Sequence, residues 1–522
     1  MDRDAAIDRL AQEAFDVLVV GGGATGLGVA VDAASRGFRT ALVEAHDFAK
    51  ATSSRSTKLV HGGVRYLEQL DFGLVTEALR ERGILYRNAP HLVGDLEFVV
   101  PRYKWWEGPF YGIGLKLYDA LAGRLNLAPS RHLDREATMR AIPNVEPEGL
   151  LGGISYHDGQ FDDARMAVTL ARTAHEHGAA VANRVEVVGL EKRDGHVQGA
   201  RVRETESGRE FAVRAKVVVN ATGIFSDSIR RMDEAKAPPQ VEPAQGVHLV
   251  LDASFSPGRT AIMVPHTDDG RVLFVIPWHG RTLVGTTDTP MTRAELEPRA
   301  LPEEVEFILR NANRYLAKDP TPADVKSVFA GQRPLVHRGG ADGPTKSLSR
   351  SHEVMVAPSG LVTIVGGKWT TYRKMAEDAM SHAIVVGGLE PRSCVTETLR
   401  LHGALDRDDP RLPADDHRRT YGGDLPALEA LAQEDASRAE PLHADLPSIA
   451  AEVVHAARHE MARSVEDVLA RRTRSLLLDA RASIEAAPRV AELLGDELGW
   501  DAARRRDEVE SYTTLARGYL LD

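Results

Sequence analysis

The run FDVLVV at residues 15–20 is apolar, largely β-branched and almost unbroken, and it leads straight into GGGATGLG at 21–28. A strand of this kind is buried on both faces, which a parallel sheet covered by helices achieves. GVAVDAASRG then reads as a helix stopped at Gly37, and TALVE at 40–44 reads as a second buried strand. The result is a βαβ unit. Its first turn carries Gly21, Gly23 and Gly26 in GxGxxG spacing, and Glu44 closes the second strand. Gly21 permits the tight turn, Gly23 lets backbone approach a pyrophosphate, and Gly26 allows close packing of helix on strand. The helix N-terminus favours phosphate, while Glu44 can accept hydrogen bonds from a ribose. A glutamate at that position argues against a 2′-phosphate. FAD and NAD both stay open on this motif alone.

Composition narrows the classes. The chain has 522 residues, room for two to four domains, and its net charge of −11 gives nucleic-acid binding no support. Cys394 is the only cysteine, so neither a disulfide framework nor a thiolate cluster is expected, which fits a reducing cytoplasm. No metal site is expected either. HEMAR at 459–463 lacks the second histidine of HExxH, and His175 and His177 flank Glu176 at a spacing that turns them apart on a helix. The N-terminal MDRDAAIDRLAQEAFD has no signal-peptide pattern, and no apolar stretch of about 18 residues is present to span a membrane. A peripheral membrane contact stays open.

Further along, AKVVVNATG at 215–223 gives another buried strand, and LVTIVGGKWTTYRKMAEDAM at 361–380 gives strand, Gly-Gly turn and helix. Alternating segments such as RVLFVIP and RTLVGTT lie between them, and from about 405–416 onward the pattern becomes helical. The fold class expected is α/β: a Rossmann-type dinucleotide-binding domain, an inserted, mainly antiparallel substrate domain, and an all-α C-terminal cap. Pro-rich stretches at 142–149 and 236–243 suggest boundaries. The division is 1–90, 150–240 and 346–390 for the dinucleotide-binding parts, and 241–345 for the substrate domain. Residues 91–149 form an insertion contributing to the substrate domain, and 391–522 form the cap. The VVNATG turn, with Ala221 and Gly223, is a second place where backbone can approach a cofactor. TIVGGKWTT, with Gly366, Gly367, Lys368, Thr370 and Thr371, is a third. A long flavin dinucleotide needs contacts from several separated segments, so these favour FAD.

The segments VVGGGATGLGVAVDAASRG, VEAHDFAKATSSRSTKLVHGGVRYLE, VVNATG, GTTD, GQRPL and VGGKWTTYRKMAE together resemble the FAD-dependent, quinone-linked glycerol-3-phosphate dehydrogenases. These belong to the D-amino-acid-oxidase-like flavoproteins, and the resemblance extends over the whole chain, including HEMARSVEDVLARRTR in the helical tail. It implies FAD as cofactor, glycerol 3-phosphate as substrate and a quinone as acceptor. A dianionic phosphate calls for arginine or lysine. The positions matching the family's pattern are Arg65, Arg333 and Lys368, with Tyr66 helping to close the pocket. Removing the hydroxyl proton calls for a base of near-neutral pKa, and His61 and His248 are the candidates. Arg333 could instead stabilise a developing alkoxide, so the choice stays open. Thr52, Ser53 and Ser54 can donate to the pyrophosphate and the flavin edge, and Lys58 could offset charge on the reduced flavin. Thr286, Thr287 and Asp288 form a turn that could border the site. Lys50 and Arg55 have no reading. An oxygen-using oxidase of the same family, an amine oxidase of the same fold and a non-enzymatic dinucleotide-binding protein are the rival readings.

RYKWWEGPFYGIGLKLYDALAGRLN at 102–126 combines two tryptophans, three tyrosines and a phenylalanine with four cations against two acids. Aromatics interleaved with cations suit a membrane surface, and a cluster packed between domains is the alternative. The resemblance favours peripheral attachment, here on the inner face of the cell membrane. A homodimer stays open.

Overall fold

The computed structural model describes residues 1–64, 72–336, 352–414 and 416–521. FDVLVV lies in the strand Ala14–Val20, which sits between Glu210–Asn220 and Thr40–Val43, parallel to both. Val362–Gly366 extends the parallel set on one side and Ala180–Ala182 on the other, with His352–Val356 antiparallel at the edge. Val17, Val19, Leu42 and Val219 are wholly buried, as an apolar run of this kind requires. The helices Ala24–Ser35, Asp163–Glu176 and Tyr372–Val386 supply the cover.

A second, mainly antiparallel sheet is built around the long pair Val241–Asp252 and Val325–Val336. It continues through Arg281–Gly285, Leu273–Trp278 and Ala261–Val264 to Gly94–Arg102 and Gly152–Gln160. The last of these differs from the sequence division. Gly152–Gln160, assigned there to the dinucleotide-binding part, pairs with Gly94–Arg102 over its full length and belongs to the second sheet. Leu59–Val60 also pairs with Gly152–Gln160, so the loop after Glu44 crosses from one sheet to the other.

After Gly366 the described residues form helices and no further strand. The apolar faces of Ala450–His459 and Ala480–Leu498 pack on one another and share a core with Phe329 and Trp278 of the second sheet. Between these two helices the chain is interrupted, with Met461 and Arg474 in left-handed conformation. These breaks aim a series of buried arginines at the dinucleotide-binding domain: Arg471 and Arg472 reach Asp47, and Arg474 reaches Asp163.

Candidate active site

A cavity of about 800 Å³ runs between the two sheets. One end is the dinucleotide cradle. Gly21 has φ +110°, and a Cβ there would stand 2.7 Å from the Ala221 carbonyl oxygen, so the two turns touch only because neither side chain intervenes. A Cβ on Gly26 would run into the Gly21 carbonyl, which is the close helix packing the spacing anticipates. Gly23 caps the helix Ala24–Ser35 at the cavity wall. Glu44 accepts from the Gly22 amide at 2.6 Å and the His46 amide at 2.9 Å. Burial nevertheless pushes its carboxyl above the usual range. Ser53 Oγ accepts from the Ala24 amide at 2.9 Å, and Trp369 Nε1 donates to the Ser53 carbonyl at 2.9 Å. Thr52 lines the same wall and donates to the Gln332 carbonyl at 2.7 Å. Ala221, Gly223, Gly366, Gly367, Lys368 and Thr370 complete this half. Bare backbone, a helix N-terminus and a carboxylate acceptor at the cavity wall suit a dinucleotide, so these residues fit one.

The other end is lined by the second sheet. His248 and Arg333 come from its two longest strands, where Ala244 is opposite Arg333 and His248 is opposite Phe329. Space is left for both by glycines: a Cβ on Gly246 would collide with the Arg333 guanidinium, and one on Gly285 with the His248 ring. Arg333 Nη1 pairs with Asp288 Oδ1 at 3.1 Å, and Nη2 donates to Thr286 Oγ1 at 3.3 Å. Asp288 Oδ2 also pairs with Arg271 Nη1 at 3.2 Å, so one carboxylate holds two guanidinium groups at the cavity wall. Arg271 escapes a sequence reading, because a lone arginine after an Asp-Gly turn carries no pattern. His248 stacks on Phe329 with ring centroids 5.0 Å apart, and its Nε2 lies 3.0 Å from Thr57 Oγ1. Burial, with Lys58 and Arg333 nearby, holds its pKa well below the ordinary histidine value, so the ring is neutral at pH 7. His61 lines the cavity too, its amide donating to Thr370 Oγ1 at 3.1 Å.

Residues 16–373 match the model of the FAD dependent oxidoreductase family, and residues 394–505 match that of the C-terminal domain of alpha-glycerophosphate oxidase. The mitochondrial glycerol-3-phosphate dehydrogenase of Mesocricetus auratus is 44% identical over 531 residues, covering 96% of this chain and 72% of that protein. That of Arabidopsis thaliana is 43% identical over 545 residues, covering 97% and 86%. The crystal structure of the glycerol-3-phosphate dehydrogenase from Bacillus halodurans, complexed with FAD, superposes with a TM-score of 0.81 at 30% identity, covering 99% of this chain and 97% of that one. This chain belongs to the glycerol-3-phosphate dehydrogenase family of FAD-dependent oxidoreductases.

Within that family frame the structure separates the expected site residues into three groups. Gly21, Gly23, Glu44, Thr52, Ser53, His61, Ala221, Gly223, His248, Arg333, Gly366, Gly367, Lys368 and Thr370 are brought to one cavity. Arg65 and Tyr66 lie outside the described residues. Gly26, Ser54, Lys58 and Thr371 do not line the cavity. Ser54 is buried with its hydroxyl turned to the Ala51 carbonyl, and Thr371 turns back on the Lys368 carbonyl. Lys58 is wholly buried with its amine 2.7 Å from Asp163 Oδ2 and 2.8 Å from the Ser54 carbonyl. Burial lowers its pKa to about 8 against the pull of Asp163. Lys50 and Arg55 also acquire a role. Lys50 pairs with Glu297 and Glu466, and Arg55 pairs with Glu297 at 2.6 Å and donates to the Leu296 carbonyl, which ties the loop to the second sheet's periphery and to the cap.

Proposed function

We propose that this chain oxidises sn-glycerol 3-phosphate to dihydroxyacetone phosphate, with FAD as hydride acceptor and a membrane quinone as the final acceptor. The observation that carries this reading is one cavity holding both a dinucleotide cradle and a wall with two guanidinium groups, Arg333 and Arg271, which share Asp288 while Arg271 also pairs with Asp269. An amino acid carboxylate is a monoanion and needs one such group; a phosphate dianion makes use of more.

Arg333 and Lys368 bind the phosphate oxygens and so fix the orientation of the alcohol carbon. His248 is the group best suited to take the hydroxyl proton. Its imidazole is neutral, and its Nε2 lies beside the hydroxyl of Thr57, which also lines the cavity. A dianion against Arg333 offsets one of the cations that depress the ring's pKa, and so raises it toward the operating pH. Thr57 fixes the ring through Nε2, and Phe329 fixes its plane. His61 then serves chiefly to hold its loop to Thr370. FAD supplies the acceptor for the hydride leaving the alcohol carbon, so the C–H pair goes to the flavin, the O–H proton to the imidazole, and a carbonyl remains.

The quinone reading is supported by an apolar branch of the same cavity, walled by Val64, Leu74, Phe98, Tyr111, Met263 and Phe274. Tyr111 belongs to the helix Glu107–Ala122, within the aromatic segment. Around this helix Trp105 (80% exposed), Trp106, Phe110, Ile113 (72%) and Leu117 stand in solvent, while Tyr111, Leu115 and Tyr118 are buried. Such a face suits a lipid surface next to the branch, and attachment is peripheral: no helix among the described residues is long and apolar enough to cross a membrane.

The test is spectroscopic. Anaerobic addition of glycerol 3-phosphate to the purified protein bleaches the flavin absorbance; absence of bleaching overturns the reading. Reoxidation by a quinone analogue outpacing that by oxygen separates the dehydrogenase from an oxidase.

A further inference from the structure

The buried side of the helix Glu107–Ala122 makes a contact that the reaction outlined above leaves unused. Tyr118 is 1% exposed, and its Oη accepts a hydrogen bond from the Gly62 amide at 2.8 Å. The same hydroxyl donates to the carboxylate of Asp158, whose two oxygens lie 2.9 and 2.8 Å away. Arg82, wholly buried, holds Asp158 Oδ1 at 2.7 Å and donates to the carbonyl of His157. Burial, reinforced by Asp158, pushes the Tyr118 phenol well above its ordinary pKa, so the proton stays on oxygen and the phenol acts as both donor and acceptor. Packing alone does not require this arrangement. A phenylalanine would fill the same place against the Tyr156 ring, 6.2 Å away, and would leave both Gly62 and Asp158 short of a partner.

Gly62 stands between His61 and Gly63, both of which line the cavity, and Asp158 lines it as well. A Cβ on Gly62 would lie 2.5 Å from Tyr118 Oη, so the loop presses its backbone onto the phenol. On its other side the segment is held by the His61 amide bonding to Thr370. The segment is thus clamped at two consecutive amides, by Thr370 from the cofactor side and by Tyr118 from behind.

We propose that Tyr118 is a positioning residue for this reaction: through the Gly62 amide, and braced by Asp158 and Arg82, it fixes the His61–Gly63 backbone against the reacting end of the substrate. The proposal rests on the function stated above. A bound geometry loosened by a fraction of an ångström lowers the rate of the chemical step more than it lowers affinity.

The experiment is stopped-flow anaerobic reduction of the FAD-loaded protein by glycerol 3-phosphate, comparing the unmodified chain with Tyr118→Phe, Asp158→Asn and the double variant. Failure of the unmodified chain to bleach overturns the function and leaves nothing for Tyr118 to position. With bleaching established, Tyr118→Phe is expected to lower the limiting reduction rate about tenfold, with the substrate Kd changed less than threefold and FAD content retained. The double variant is expected to be little slower than either single one, because the two residues act as a unit. Hydrogen exchange of the Gly62 amide should accelerate in Tyr118→Phe. A limiting rate within twofold of the unmodified chain, or a double variant showing the product of the two single effects, overturns the proposal. If Tyr118→Phe fails to fold, the rate of Asp158→Asn decides by the same criterion.

Discussion

Lys58 and Asp163 form an ion pair at 2.7 Å in which neither side chain has any exposure to solvent. It joins the loop after the second strand to the first turn of the helix Asp163–Glu176. Asp163 also accepts from the Ser56 amide at 2.9 Å and from Arg474 of the cap at 2.9 Å, so a single carboxylate gathers three parts of the chain. Removing Lys58 takes away one of two cations on this carboxylate and leaves Arg474 in place. Lys58→Met is expected to destabilise the fold by roughly 1–3 kcal/mol, read as a drop in the urea midpoint, while FAD present in the folded fraction keeps its visible spectrum. A flavin spectrum altered at full stability would instead put the amine at the cofactor.

Arg333 and Arg271 share Asp288, and this predicts unequal effects. Arg333→Ala removes a guanidinium from the phosphate and leaves Asp288 partly unpaired, so KM for glycerol 3-phosphate should rise on the order of a hundredfold with FAD content intact. Arg271→Ala leaves Arg333 in place but loosens its carboxylate, and a rise of about tenfold is expected. Steady-state kinetics on the two variants checks both. Equal effects would mean that Arg271 binds the phosphate as directly as Arg333 does.

The cradle was legible in the sequence because it is local: Gly21, Gly23, Gly26 and their helix lie within one turn of chain, and sterics alone dictate the residue types. The substrate end was only partly legible. Arg333 and His248 come from neighbouring strands, and Arg271 and Asp288 come from hairpins and turns whose meeting depends on the register of the second sheet. Lys58 presents a related difficulty. Its counterion is 105 residues away, and a lysine beside a serine run looks the same whether it faces phosphate or a buried carboxylate. Lys50 and Arg55 were opaque until Glu297 and Glu466 came next to them.

Two histidines, His91 buried and His417 half-buried, set opposite pH limits on stability. Burial lowers His91 to about 3, so it folds neutral. Its contribution is full above the unfolded value of 6.5 and is lost as pH falls below it. His417 behaves in reverse. Burial opposes its charge, but Glu452 and Asp416 outweigh this and raise it to about 9. Its contribution is full below 6.5 and disappears as pH rises to 9, a change on the order of 3 kcal/mol. Urea midpoints should therefore peak between about pH 6 and 7. In His417→Gln the alkaline limb should flatten while the acid limb stays. An alkaline limb of unchanged slope would assign that loss to other groups.

The exposed face around the helix Glu107–Ala122 gives a prediction independent of the cavity. Trp105 and Ile113 are the most exposed of its large apolar side chains, and neither lines the cavity. Full transfer of one such side chain out of water is worth about 1.5–3 kcal/mol, and each nearby cation adds about 1 kcal/mol at an anionic surface. The double variant Trp105→Ser, Ile113→Ser should weaken co-sedimentation with anionic phospholipid vesicles at least thirtyfold, because two insertions are lost together. Anaerobic flavin bleaching by glycerol 3-phosphate should proceed as in the unmodified chain. Raising salt should weaken vesicle binding of both proteins, since Lys104 and Lys116 remain and their attraction is screened. Vesicle binding unchanged by the double substitution would mean that this face meets protein and that the membrane is reached elsewhere.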